Sequence, residues 1–295
     1  MRALVIGGSG QVGSALLGAL AERGHTAAGT HHRTVTVGTR RLDLTDSEAV
    51  ARLVANTCPD WIFCTGALTH VDHCEDCPAE AERLNRDGPR AVATAAAGVG
   101  AGVVLFSTDY VFDGSSGPYS EDDRPRPLSV YGRTKLEGEQ AVVESGARAL
   151  IIRTTGVYGP DHQAKNFVYQ LIRRCRAGER MLVPADQVST PTYTRDLAGA
   201  SLELAEHGRT GLYHVAGLTA LDRHAFALLA AEVFDLDPSL ISPVTTASLG
   251  QRAPRPLRGG LRVDHVKRIL ATPLRAAPEG LDAMRKAIAG SEQVR

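Results

Sequence analysis

Tyr131 and Lys135, in the fragment YGRTK, stand four residues apart. On a helix that spacing places both side chains on one face, one above the other. A free phenol titrates near ~10. A neighbouring ammonium favours the phenolate and brings the pair toward general acid–base work at neutral pH. Upstream, Thr108 closes the apolar run GVVLFST. Its hydroxyl is a candidate donor to a substrate oxygen, with satisfaction of its own backbone as the alternative use. Near the start of the chain, Gly7, Gly10 and Gly13 form G-x-x-G-x-x-G within VIGGSGQVG. Glycines at such a strand-to-helix turn let the backbone approach a pyrophosphate, whose charge is favoured by the unpaired N–H groups of the helix start. Taken together, these residues describe hydride chemistry on a carbonyl or an alcohol, with Tyr131 as the proton-exchanging group.

Positioning those groups requires a particular frame. Residues 2–7 read as a buried strand, followed by the glycine turn and a helix from about Gln11 to Arg23. HTAAGTH makes a second strand, RRLDLTD ends a third, and Asp46 is placed to cap the next helix. DWIFCTGA is apolar throughout, as strands buried on both faces are. A long Ala-rich helix over about Ala79–Ala97 precedes the fifth strand, GVVLFSTD, and ARALIIRTT makes a sixth. The alternation predicts an α/β fold, a doubly wound parallel sheet of Rossmann type. A dinucleotide-binding unit is expected over 1–155. The remainder, 156–295, reads as a smaller substrate lobe, with about 193–216 returning to the sheet. That second part should hold a helix near 165–177, a short strand at RMLVP, a helix near 194–206, a strand at TGLYHVAG and two or three closing helices.

Composition narrows the function classes. The chain has 295 residues, 43% hydrophobic and 22% charged, with zero formal net charge. That supports a large core and argues against a nucleic-acid partner. Arginines gather between Arg252 and Arg262, a local patch suited to a phosphorylated small molecule. No run is long enough for a membrane helix and none reads as a signal peptide, so a cytoplasmic protein without a membrane partner is expected. The five cysteines, at 58, 64, 74, 77 and 175, are no disulfide framework. Cys74 and Cys77 form a lone C-x-x-C, read as a surface coincidence, and no metal is expected. His70, His73 and Cys74 read as ordinary loop chemistry.

The expected cofactor set begins with Gly7, Gly10, Gln11, Val12 and Gly13 around the turn. A carboxylate after the second strand would hold the ribose of NAD, but here the strand ends in THHRT, with His31 and Arg33. Arg33 suits a 2′-phosphate through charge-assisted hydrogen bonds, which favours NADPH while leaving NADH open. Asp43, followed by Leu44, is placed either for the adenine edge or to cap the next turn. Gly66 and Ala67 after the fourth strand, with Tyr131 and Lys135, complete the set.

On the fragments GGSGQVG, ALTHVDHCE, STDYVFDG, PLSVYGRTKLEGE, RTTGVYG, NFV and QVSTPTY, with weaker support from GLYHVAG and RAPRPLRGG, the chain resembles the extended short-chain dehydrogenase/reductase superfamily. More narrowly it resembles the dTDP-4-dehydrorhamnose reductase family over nearly its whole length. The resemblance implies NAD(P)H-dependent reduction at C4 of a nucleotide-linked 4-keto-6-deoxy sugar, with Tyr131 as acid, Lys135 lowering its pKa and Thr108 steadying the carbonyl. Thr69, Val71, Asp109 and Tyr110 would line the sugar pocket. Related nucleotide-sugar dehydratases carry a glutamate where Tyr110 stands, so reduction is favoured over dehydration. The family tryptophan within RTSWVYG is replaced by Gly156, and the family RRPxxS survives only loosely around Arg255-Pro256. Some members dimerise, so a homodimer is among the expectations. Other extended-family enzymes and the cofactor-binding β subunit of methionine adenosyltransferase share these motifs and stand as alternatives.

Overall fold

The computed structural model describes residues 1–292. Its first half alternates β1 (Arg2–Ile6), α1 (Gln11–Glu22), β2 (Thr26–His31), β3 (Thr39–Arg41), α2 (Ser47–Thr57) and β4 (Trp61–Cys64). Then follow α3 (Val71–Asp76), α4 (Pro78–Glu82), a π-helical turn at Arg83–Asp87, α5 (Gly88–Val99), β5 (Gly102–Thr108), α6 (Val130–Glu144) and β6 (Arg148–Thr154). The second half contains α7 (Phe167–Arg176), β7 (Met181–Pro184), β8 (Val188–Ser189), α8 (Thr194–Glu206), β9 (Gly211–His214) and β10 (Leu221–Asp222). It ends with α9 (Arg223–Val233), β11 (Ile241–Val244), α10 (Asp264–Lys267) and α11 (Ala277–Glu292).

Seven strands form one parallel sheet in the order β3-β2-β1-β4-β5-β6-β9. The order reverses between β1 and β4, the crevice where open α/β sheets bind ligands. Side chains alternate between faces even where every residue is apolar. Leu4 and Ile6 of β1 join Val50 and Val54 of α2 and the small Val92, Ala93 and Ala96 of α5 on one side. Val5, Phe63 and Val104 meet Leu16 and Leu20 of α1 and Leu197 of α8 on the other. α8, contributed from beyond Thr155, thus covers the sheet next to α1. A separate core gathers Val168, Leu171, Phe226, Ala230, Leu281 and Met284 from α7, α9 and α11.

Two local expectations need correction, and one strand goes unforeseen. The Ala-rich helix is not continuous: α4 passes through the π turn before α5 restarts at Gly88-Pro89. His73 and Cys74 lie on α3, a short helix rather than a loop, and His70 caps it by accepting the His73 amide at 3.1 Å. Strand β7 has a parallel partner, β11, whose sequence ISPV reads as broken at Pro243; an edge strand accommodates proline because one row of its N–H groups needs no partner. The last residues of the expected 156–295 lobe, 293–295, lie outside the described residues.

Candidate active site

The turn after β1 closes with the Gly10 amide donating to the Gly7 carbonyl at 2.9 Å. A Cβ on Gly13 would stand 2.2 Å from that same carbonyl, so glycine there is what lets α1 start directly above the turn. No side chain caps the first turn of α1, leaving its N–H groups available to an anion. Two side chains from the second half clamp the turn from outside. Gln11 Nε2 donates to Thr194 Oγ1 at 2.8 Å, and Gln163 Nε2 donates to the Ser9 carbonyl at 3.0 Å. A dinucleotide pyrophosphate fits this bare backbone cradle.

From this turn a cleft of about 710 Å³ runs along the carboxyl edge of the sheet. Gly10, Gln11, Val12, Ala67, Thr69, Val71, Thr108, Asp109, Tyr110, Tyr131 and Lys135 all line it. Helix α6 carries the last two. Ser129 caps its start by accepting the Gly132 amide at 3.1 Å, and Glu75 Oε1 of α3 accepts the Val130 amide at 2.7 Å. A Cβ on Gly132 would lie 2.1 Å from the Tyr110 carbonyl, so the glycine beside Tyr131 lets α6 touch the turn after β5. There the rings of Tyr110 and Tyr131 meet edge-on, with centroids 5.5 Å apart.

Burial pushes the Tyr131 phenol well above its ordinary pKa, partly offset by its hydrogen bond with the Thr108 side chain. The sequence-based expectation that Lys135 lowers this pKa needs correction for the protein alone. Lys135 is buried and its Nζ donates to the Phe106 carbonyl at 2.6 Å; burial also disfavours its own charge. Asp109 is likewise raised by burial. Its Oδ2 accepts the Gly260 amide at 3.2 Å, so this carboxylate holds the Gly259–Gly260 segment against the cleft.

The other expected cofactor residues lie away from the cleft lining. His31 is buried, with Nδ1 2.7 Å from Thr39 Oγ1. Leu44 packs in the core beneath Gly66 and Gly88. Asp43 accepts the Thr45 amide at 2.9 Å and its hydroxyl at 2.8 Å, contacts that hold its carboxyl below the usual range. Of its two expected uses, the structure shows the local turn. Arg33 is exposed and forms no ion pair among the described residues. Gly7 and Gly13 shape the turn without lining the cleft. The arginine patch is also partly spent: Arg255 makes a bidentate pair with Asp72, both contacts 2.9 Å, and Arg252 pairs with Asp76.

Sequence reasoning missed several cleft residues. Thr155 follows β6, and Gln163, Lys165, Asn166 and Arg223 come from the second half, where no periodic pattern aims them. Arg223 has its guanidinium 4.3 Å above the Phe167 ring and forms no ion pair among the described residues. Asn85, in the π turn, is fully buried. It accepts the Leu68 amide at 2.9 Å and donates to the Leu68 carbonyl at 3.1 Å and to Thr134 Oγ1 at 3.2 Å. One amide thereby ties the 66–70 segment to α6, a use of π geometry common at functional sites. Gly156, in place of the family tryptophan, lines the cleft at φ +53°, a backbone conformation a bulky residue adopts only with strain.

Known proteins agree with this architecture. The dTDP-4-dehydrorhamnose reductase of Mycolicibacterium smegmatis is 37% identical over 295 residues, covering 98% of this chain and 86% of that one. The crystal structure of a dTDP-4-dehydrorhamnose reductase from Clostridium acetobutylicum superposes with a TM-score of 0.90 at 31% identity, covering 98% of this chain and 100% of that one. The Bacillus anthracis dTDP-4-dehydrorhamnose reductase, solved in complex with NADP, gives 0.90 at 30% identity over 97% of this chain and 99% of its own. No described helix is long and apolar enough to cross a membrane. The RmlD substrate binding domain model matches residues 1–289, and the chain belongs to that family.

Proposed function

We propose that this protein is an NADP-dependent oxidoreductase of the dTDP-4-dehydrorhamnose reductase type, reducing the C4 keto group of a nucleotide-linked 4-keto-6-deoxy sugar. The observation carrying this reading is that Thr108, Tyr131 and Lys135 share one cleft with the glycine turn. A dinucleotide held by its pyrophosphate over that turn would supply the hydride from its reduced nicotinamide. Tyr131 donates the proton that turns the carbonyl oxygen into a hydroxyl, and its raised pKa keeps that proton in place at neutral pH. Thr108, hydrogen-bonded to the same phenol, orients the oxygen. Lys135, buried beneath the site with its Nζ on the Phe106 carbonyl, is placed to turn from there toward a ribose hydroxyl. Arg33 meets the 2′-phosphate that distinguishes NADPH. Arg223, a cation in the cleft with no acid partner, is suited to the sugar diphosphate. Thr69, Val71 and Tyr110 contact the sugar, and Gly156 leaves room where relatives carry a tryptophan.

The relatives' names support this substrate class, and Tyr110, in place of the dehydratase glutamate, supports reduction. The test is NADPH oxidation by purified protein with dTDP-4-dehydro-6-deoxy sugars, beside Tyr131→Phe. Turnover lost in the variant while NADPH binding persists is expected. Tight NADPH binding with no turnover on any 4-keto sugar nucleotide would overturn the reading in favour of a cofactor-binding regulatory subunit.

A further inference from the structure

Helix α3 ends and α4 begins at Cys77, and three metal-binding side chains meet at that junction. His73 sits in the last turn of α3, Cys77 flanks both helices and Glu80 sits in the first turn of α4. One donor atom from each lies within 4.8 Å of the others, and His73 Nε2 is 2.9 Å from Glu80 Oε2. The main chain links them in series. The Cys77 amide donates to the His73 carbonyl at 2.8 Å, and the Glu80 amide donates to the Cys77 carbonyl at 3.1 Å. The donor positions therefore rest on a hydrogen-bonded backbone rather than on three independent loops. None of these residues lines the catalytic cleft.

The chemistry of the set selects among metals. Magnesium and calcium take oxygen donors, whereas one thiolate, one imidazole and one carboxylate suit zinc. Bonds of about 2.0–2.3 Å in a tetrahedral zinc site put donors roughly 3.3–3.8 Å apart. The widest pair here needs to close by only about 1 Å, within reach of side-chain rotation. The C-x-x-C spacing is not the feature that matters. Cys74 is buried with its Sγ toward the Leu68 carbonyl, so the ligands follow the helix junction: His73, Cys77 and Glu80. All three are half-buried, which leaves a path for the ion and a place for water as fourth ligand. We propose that His73, Cys77 and Glu80 form a zinc site with one open coordination position, a site the sequence pattern argued against. Zinc there fastens α3 to α4. Helix α3 also carries Glu75, on the Val130 amide, and Asp72, on Arg255, so the ion braces the element that holds the head of α6.

The test uses full-length, tag-free, reduced protein stripped of metal and titrated with cobalt(II), then zinc. One equivalent of cobalt is expected to give a thiolate charge-transfer band and tetrahedral d–d absorption, both bleached by zinc. Cys77→Ser removes the charge-transfer band, while His73→Ala and Glu80→Gln each weaken zinc binding by about 10-fold or more. Cys58→Ser, at an exposed cysteine elsewhere, leaves both unchanged. Absence of the band at micromolar protein, its survival in Cys77→Ser, or parental zinc affinity in Glu80→Gln each overturns the proposal. In that case His73 and Glu80 form only an ion pair. Glu80→Gln, at a half-buried position, keeps the test open if Cys77→Ser fails to fold. Because metal binding is read directly, failure here leaves the reductase reading untouched.

Discussion

At the hydride end of the cleft, Lys135 and Thr108 are buried, and hydrogen bonds to backbone and neighbouring helices hold the whole group. Beyond β2, Arg33 stands in solvent, and His32 and Asp43 are half exposed, 3.8 Å apart. The contrast follows from what each end must do. A proton donor works only if it is held within hydrogen-bond reach of the reacting oxygen, and Tyr131, proposed for that role, is braced by Ser129, Glu75 and Gly132. Recognition of a 2′-phosphate, the role proposed for Arg33, needs only a cation within reach, and one exposed side chain is enough. Cofactor preference should therefore change by single substitution more easily than catalysis does.

The largest effect that sharpens this contrast is expected for Tyr131→Phe. Loss of the phenolic proton should lower kcat by about 100- to 10,000-fold, with NADPH affinity from fluorescence titration almost unchanged. A comparable kcat in the variant removes Tyr131 from the chemistry.

Lys135→Ala should lower kcat by about 10-fold or more and should also move a pH profile. Reduction needs the protonated phenol, and burial raises its pKa, so its rate should stay level through neutral pH and fall only on the alkaline side. The reverse oxidation needs the phenolate and should rise with pH. In the protein alone Lys135 lies on the Phe106 carbonyl; with cofactor bound, the proposed turn of its ammonium toward the ribose brings it near the phenol, and its removal should then shift that rise to higher pH. Coincident oxidation profiles for parent and variant would assign Lys135 to binding alone.

Arg33→Asp should weaken NADPH by about 10- to 100-fold and NADH far less, because only the 2′-phosphate loses a charged partner and meets a repelling one. Equal losses for both cofactors would place the phosphate contact elsewhere and break the contrast between the two ends.

The smallest effect is expected at Asn85. Asn85→Ala leaves the Leu68 amide and carbonyl without their partner and should cost about 1–3 kcal/mol of stability, measured by urea unfolding. Substrate KM should rise as the 66–70 segment loosens. An unchanged unfolding midpoint would show that water replaces the amide.

Much of the fold was legible in the residues. The alternation of buried apolar runs with amphipathic stretches marks β1, β4, β5 and β6 because parallel strands are covered on both faces. Gly7-x-x-Gly10-x-x-Gly13 and Tyr131-x-x-x-Lys135 are local patterns whose geometry follows from a turn and a helix. Less legible were β11, where Pro243 hides a strand, and the π turn, whose insertion leaves no periodic trace. Asp43 was open between two uses because an aspartate caps a turn as readily as it meets a ligand.

The sequence by itself determined the hinge of this protein: a glycine turn that exposes helix N–H groups, and a tyrosine–lysine pair on one helix face, since both rest on contacts only a few residues long. Tertiary structure alone decided what surrounds them. Gln163 and Thr194 clamp the glycine turn across more than 150 residues of chain, Arg223 enters the cleft from α9, and Lys135 faces the Phe106 carbonyl of β5. Such contacts depend on how layers pack and on how burial alters charge, and no local spacing encodes either.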